Sequence, residues 1–183
     1  MPRKRTTFEQ IAVPHLAGVY RFACQFTAKE RAQDLVQETY LRAWKYFDSF
    51  RTDTNCRSWL YRILHNVWRD AAHRQRLEIP LIDDEAAGIE PYYDWEEEFW
   101  RDELSENLAA ALSQLPEVYR WAVLLADVEE LSYQEIATVM DCPIGTVMSR
   151  VNRGRRTLAS LLLTSRINPA NELDEVIGKI SKE

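Results

Sequence analysis

Apolar residues recur along this chain at intervals of three and four, the period of a helix with one buried face. Phe8, Ile11, Ala12, Leu16, Val19, Ala23 and Phe26 form the first such stripe, and Pro14 is expected to bend or divide it. Ala32, Leu35, Val36, Thr39, Tyr40, Ala43, Trp44 and Phe47 predict an amphipathic helix of about four turns. Trp59, Leu60, Ile63, Leu64, Val67, Trp68 and Ala71 predict another. Leu104, Leu108, Ala111, Leu112 and Leu115 form a stripe closed by Pro116, whose fixed φ suits the start of a following helix from Glu117 to about Asp127. No segment alternates as a strand would, and no repeat of fixed period is present. The fold class is therefore all-α.

The stretch Leu131–Val147 carries the most specific pattern. Ser132 followed three residues later by Glu135 is a capping box and starts a helix. Ile136, Ala137 and Met140 face inward, Asp141 and Cys142 make a turn, and Pro143 opens a second helix. Ile144, Val147, Met148 and Val151 are expected to form its buried stripe. The other face carries Thr146, Ser149, Arg150, Asn152, Arg153, Arg155 and Arg156, with four Arg and no acidic residue between Thr146 and Arg156. Arg forks suit base edges and phosphates, and Ser, Thr and Asn add hydrogen bonds in the groove. A short helix, a tight turn and a basic second helix fit a DNA major groove. Cap, turn, period and charge agree on this reading over that of a structural hairpin with a solvated basic face.

Bulk charge points the other way. The 183 residues have a net charge of −6, whereas nucleic-acid binders are usually basic. Resolved along the chain, residues 1–79 hold 14 basic and 8 acidic groups, residues 80–106 hold 1 and 11, and residues 107–166 hold 6 and 6. The acidity is thus concentrated in one stretch, interrupted by Pro80, Gly88 and Pro91. Residues 80–103 are read as an acidic flexible linker between two small helical domains, residues 1–79 and 104–166, with a tail over 167–183. The three cysteines, Cys24, Cys56 and Cys142, have no metal-ligand spacing and fit a reducing cytoplasm. No apolar run is long enough to span a bilayer, so direct membrane insertion is not expected. P-loop, metal spacing and nucleophile elbow are all missing from the sequence, which argues against an enzyme, a cofactor or a small-molecule substrate.

Two further faces stand out in the first half. Opposite its core stripe, the helix from about Glu30 to Phe47 carries Asp34, Gln37, Glu38, Leu41 and Lys45, which fits a solvated face and a protein-docking face equally. The polar loop Arg51–Arg57, containing Asn55, precedes a helix that interleaves aromatic and basic groups. Trp59 and Trp68 lie in its apolar stripe, leaving Tyr61, Arg62, Asn66 and Arg69 as candidates for contacts. Aromatics beside cations in a polar groove suit unpaired bases.

These residues resemble a family. The segment Asp34–Trp44 resembles the region 2 core-binding helix of extracytoplasmic-function (group IV) sigma factors. Trp59–Val67 resembles their promoter-melting helix, and Leu131–Ala137 with Cys142–Arg150 resembles their region 4 helix-turn-helix. The resemblance covers about residues 8–79 and 104–163, in the family's order and spacing. It implies that Asp34, Gln37, Glu38 and Leu41 dock on the β′ clamp helices of core RNA polymerase. It implies that Arg51, Asn55, Arg57, Tyr61, Arg62, Asn66 and Arg69 handle melted −10 DNA. Thr146, Met148, Ser149, Arg150, Asn152, Arg153 and Arg156 would read −35 duplex, with region 4 also meeting the β flap. Many relatives carry a basic residue where this chain has Met148, which can pair with neither a guanine edge nor a phosphate. The linker would thread a positively charged polymerase channel, its acids imitating RNA. An anti-sigma factor is the implied regulator, and a stress response the implied setting. The competing reading is a stand-alone helix-turn-helix regulator that dimerises on a palindrome.

Overall fold

Pro14 cannot donate a backbone hydrogen bond, and the first stripe breaks there as expected. In the computed structural model, which describes residues 2–51, 54–78 and 103–167, helix α1 (Pro2–Ile11) ends in a 3-10 turn over Val13–His15 before α2 (Leu16–Ala23) begins. Then follow α3 (Lys29–Tyr46), a 3-10 turn over Phe47–Ser49, and α4 (Cys56–Glu78). The second half holds α5 (Glu103–Ser113), α6 (Glu117–Asp127), α7 (Tyr133–Met140) and α8 (Ile144–Ile167). Among the described residues there is no strand, so the protein is all-α. Residues 80–102 of the acidic linker and residues 168–183 of the tail lie outside the described residues.

Local rules account for the element ends. The Ser132 hydroxyl accepts from the Glu135 amide at 3.3 Å, and the Glu135 carboxylate accepts from the Ser132 amide at 2.8 Å, completing the capping box. Asp141 ends α7 in the left-handed region at φ 49°, a conformation that a short polar side chain tolerates. The turn is closed by the Cys142 amide donating to the Ala137 carbonyl at 3.1 Å. Asn55 caps α4: its side-chain oxygen accepts from the Arg57 amide at 3.1 Å.

In the first half, Phe8 meets Tyr40, Trp44 and Phe47 edge-on, with ring centroids 5.1–6.4 Å apart. Helix α4 packs against α3 on one side and α7 on the other. Helix α6 buries five consecutive residues, Trp121 to Leu125, more than one face of a helix can hold, so it is covered all round. Helix α8 covers one side, and the first half covers another. The Trp121 ring stacks on Phe26 at 4.6 Å and tilts against Phe22 at 4.9 Å. His65 of α4 meets the same ring edge-on at 4.9 Å. The apolar faces of the two halves thus run together into one core.

Polar bonds bridge the same seam. The Trp68 indole donates to the Glu117 carboxylate at 2.7 Å, and the Arg120 guanidinium donates to the Gln25 carbonyl at 3.1 Å. The seam also traps cost, because His65 Nδ1 and the Trp121 indole nitrogen are buried without a hydrogen-bond partner. Each such group costs about 1–3 kcal/mol relative to its hydrated state.

Candidate nucleic-acid interface

Helix α8 is seated by a narrow line of contact. Val147 and Val151 are fully buried, and Gly154 continues the line one turn further on. An added Cβ at Gly154 would lie 2.5 Å from Val123 Cγ2 and 3.3 Å from the Tyr119 carbonyl oxygen. Helices α6 and α8 therefore cross at van der Waals range because position 154 has no side chain. The crossing corrects the sequence reading of the buried stripe: Ile144 and Met148 are 44% and 47% exposed. Contact runs through 147, 151 and 154, and those two positions fall to one side of it.

The polar face of α8 divides unevenly. Ser149, Asn152, Arg153 and Arg156 are exposed, and Thr146 is half-buried. The Ser149 hydroxyl donates to the Thr146 carbonyl at 3.1 Å. Arg150 is half-buried, its guanidinium folded back to 3.5 Å from Cys142 Sγ. Arg155 grips the Asp127 carboxylate with two nitrogens, which anchors α8 to α6.

On α4, Arg62, Asn66 and Arg69 are exposed at i, i+4 and i+7, which puts them on one face. Tyr61 is not with them. It is fully buried against Phe22, at a centroid distance of 4.8 Å, and burial, reinforced by Glu129, raises its phenol pKa. The sequence reading of Tyr61 as a contact residue is therefore corrected to a core role. Helix α4 is buried on two sides, so its apolar arc is wider than a single stripe. His65, interleaved with the basic groups in sequence, is buried for the same reason. Desolvation, with Arg69 and Arg150 nearby, lowers its pKa to about 4 against the pull of Asp141.

The loop before α4 is occupied by the second half. The Asn55 amide donates to Glu135 Oε1 at 2.7 Å. Arg57 donates to the Glu129 carbonyl at 2.5 Å, with its other terminal nitrogen 3.8 Å from the Glu129 carboxylate. Arg51 is exposed, and its carbonyl accepts from Thr54. Glu129 and Glu135 were missed as partners of this loop. Sequence gives no register for a contact 72 or 80 residues away.

The outer face of α3 carries exposed Asp34 and Gln37, half-buried Glu38, and Leu41, which is 57% exposed. Glu38 accepts from Arg42 at 2.7 Å, and Arg42 also reaches Asp70 of α4 at 2.8 Å. A shallow depression beside them is lined by Glu38, Leu41, Arg42, Lys45 and Tyr46. Burial raises the Cys24 thiol pKa and pushes that of Cys56 up to about 11, so neither is held as a thiolate at neutral pH. Among the described residues, no group of three His, Cys, Asp or Glu could hold a metal ion, and no helix is long and apolar enough to cross a membrane.

Comparison with known proteins places this geometry. The family model for Sigma-70 region 2 matches residues 12–78, and that for Sigma-70, region 4 matches residues 105–158. The chain is 37% identical to the ECF RNA polymerase sigma factor EcfG of Rhodopseudomonas palustris over 91% of both chains. It is 31% identical to the ECF RNA polymerase sigma-E factor of Escherichia coli, over 82% of this chain and 84% of that one. Among solved structures, the sigma factor RpoE bound to the anti-sigma factor NepR, from Bartonella quintana, superposes with a TM-score of 0.67 at 29% identity, over 85% of this chain and 96% of that one. CnrH in complex with the cytosolic domain of CnrY gives 0.62 at 25% identity, over 87% and 90%. With both sigma-70 regions matched in order and a relative aligned along nine-tenths of its length, the chain belongs to the extracytoplasmic-function sigma factors of RNA polymerase.

Proposed function

We propose that this sigma factor divides promoter recognition between its two halves, region 2 over residues 1–79 and region 4 over residues 104–166. The observation that carries the reading is the pair of exposed cationic faces, Arg62–Asn66–Arg69 on α4 and Asn152–Arg153–Arg156 on α8. The α4 face holds the melted −10 strand by backbone neutralisation, with Arg51, Asn55 and Arg57 at its mouth. The α8 face enters the −35 major groove with Thr146, Ser149, Asn152 and Arg153 near base edges and Arg156 toward phosphate. Arg150 joins them by turning away from Cys142. Met148 sits on this exposed side and offers the groove only apolar contact. Asp34, Gln37, Glu38 and Leu41 dock on the polymerase clamp, and the acidic linker joins the two halves through the polymerase.

The protein acts in the cytoplasm as a specificity subunit and not as an enzyme. The sigma factor RpoE is seen bound to the anti-sigma factor NepR, which supports control of this chain by an anti-sigma factor.

Leu41 gives the cleanest test of polymerase docking because it is exposed and contributes little to the core. Leu41→Ala should weaken binding to core RNA polymerase about tenfold, as for an interface anchor, with an unchanged melting temperature. Unchanged affinity in surface plasmon resonance would remove α3 from the docking surface.

A further inference from the structure

The polar face of α8 is interrupted by one apolar row. A helix advances about 100° per residue, so Ile144, Met148 and Asn152 fall one above the other. The row flanks the contact line through Val147 and Val151 and borders Ser149, Arg153 and Arg156. Asn152 is exposed, and Ile144 and Met148 are 44% and 47% exposed. Apolar surface is thus held in water on the side assigned to the groove. Nothing screens it there, because a Cβ added at Gly145 would meet nothing within 4 Å. Met148 lies in the second turn of α8, which begins at Ile144, and the N-terminal residues of a recognition helix are those that reach base edges.

Chemistry restricts what Met148 can meet. Its side chain has no N–H or O–H, and its sulfur accepts only weakly. Guanine O6 and N7, thymine O4 and phosphate oxygens all call for a donor and gain nothing from it. The amino groups of adenine and cytosine would exchange a hydrogen bond to water for a poor one. The apolar group that a base pair presents in the major groove is the 5-methyl of thymine. A flexible, polarisable thioether chain adapts to such a group, and contact takes both out of water. Ile144, one turn earlier, widens the apolar surface.

We propose that Met148 is a specificity residue that reads the 5-methyl group of a thymine in the −35 duplex. The proposal rests on the assignment of α8 to the −35 major groove. It gives the step facing Met148 a T·A pair chosen by apolar contact and not by hydrogen bonding. Removing one methyl group from water is worth about fourfold in affinity, so this step discriminates more weakly than one read by a bidentate Arg.

The test uses holoenzyme assembled from core polymerase and the full chain, with a promoter selected by run-off transcription. Each thymine of its −35 duplex, on either strand, is replaced in turn by deoxyuridine, which lacks only the methyl group. Each duplex then competes with the labelled parent for holoenzyme in a gel-shift assay. One replacement should weaken binding about fourfold with the wild-type chain and have no effect with Met148→Ala. Met148→Gln, of similar length and helix propensity, should abolish the same difference, and it replaces Met148→Ala should that variant lose helical circular dichroism. A loss that persists in the variants would arise from DNA shape and not from Met148, and would overturn the proposal. So would a −35 element without thymine, or one in which no replacement changes affinity. Each of these results leaves the proposed function standing, because the promoter was selected by initiation. If run-off transcription yields no promoter at all, the underlying reading fails and the proposal falls with it.

Discussion

Gly154→Ala places a methyl group where α8 has no room for one. The new Cβ would lie 2.5 Å from Val123 Cγ2, and Tyr119 Cβ and its carbonyl oxygen are each 3.3 Å away. Ordinary contact begins near 3.4 Å, so Val123 must retreat by about 1 Å, yet it is itself buried at 3% exposure. The Tyr119 carbonyl belongs to the backbone of α6 and cannot turn away. Overpacking of this kind costs about 1–3 kcal/mol, and the better helix propensity of Ala returns up to about 1 kcal/mol. The net expectation is a loss of about 1–2 kcal/mol, which for a chain of this size lowers the melting temperature by roughly 2–8 °C. Gly145→Ala, on the same helix with nothing within 4 Å of its new Cβ, is the matched control and should gain up to about 1 kcal/mol. Urea denaturation followed by far-ultraviolet circular dichroism measures both. If Gly154→Ala were as stable as wild type while Gly145→Ala behaved as expected, the close crossing of α6 and α8 would be refuted.

His65 is neutral in the fold with a pKa of about 4, below the roughly 6.5 of an unfolded histidine. The unfolded chain therefore binds its proton first, and this stability, complete above pH 6.5, is lost as pH falls. The unfolding free energy should drop by about 1.5 kcal/mol between pH 6.5 and 5, and His65→Leu should flatten that slope; an equal slope in the variant would place the titration elsewhere. Ser132→Ala removes the acceptor for the Glu135 amide and should cost about 1 kcal/mol in the same assay, with no cost arguing that α7 is held by packing alone. Arg153→Ala should weaken −35 duplex binding by about 1–3 kcal/mol. Arg155→Ala should leave that binding unchanged, because Arg155 is spent on Asp127; in a gel-shift assay, the reverse order would mean that the groove-facing side of α8 is misassigned.

The parts of this fold that were legible in the sequence are those set by neighbours in the chain. Pro14, the capping box of Ser132 and Glu135, the turn at Asp141 and Cys142 and the three-to-four stripes all act within one or two turns of helix, and each element they predict is present. Periodicity fails where one helix meets two partners. Tyr61 lies on a buried face of α4, so its hydroxyl suggested contact with a ligand when its surroundings are Phe22 and Glu129. Met148 and Ile144 fail in the opposite sense, because the close approach at Gly154 swings the contact line of α8 away from them. The run of five apolar residues from Trp121 to Leu125 did carry a signal: too wide for one face, it implied a helix enclosed on every side. Which surface closed over it depended on contacts between residues far apart in the chain, which sequence spacing does not encode.

The central claim is that this chain gives core RNA polymerase its choice of promoter. Run-off transcription with purified core polymerase and a genomic promoter library measures it directly. The account predicts initiation from a restricted set of promoters sharing two asymmetric elements, one read as duplex and one melted, and dependent on added chain at a ratio of one to one. Absence of initiation with any bacterial core, or binding as a dimer to a palindrome without need of polymerase, would contradict it.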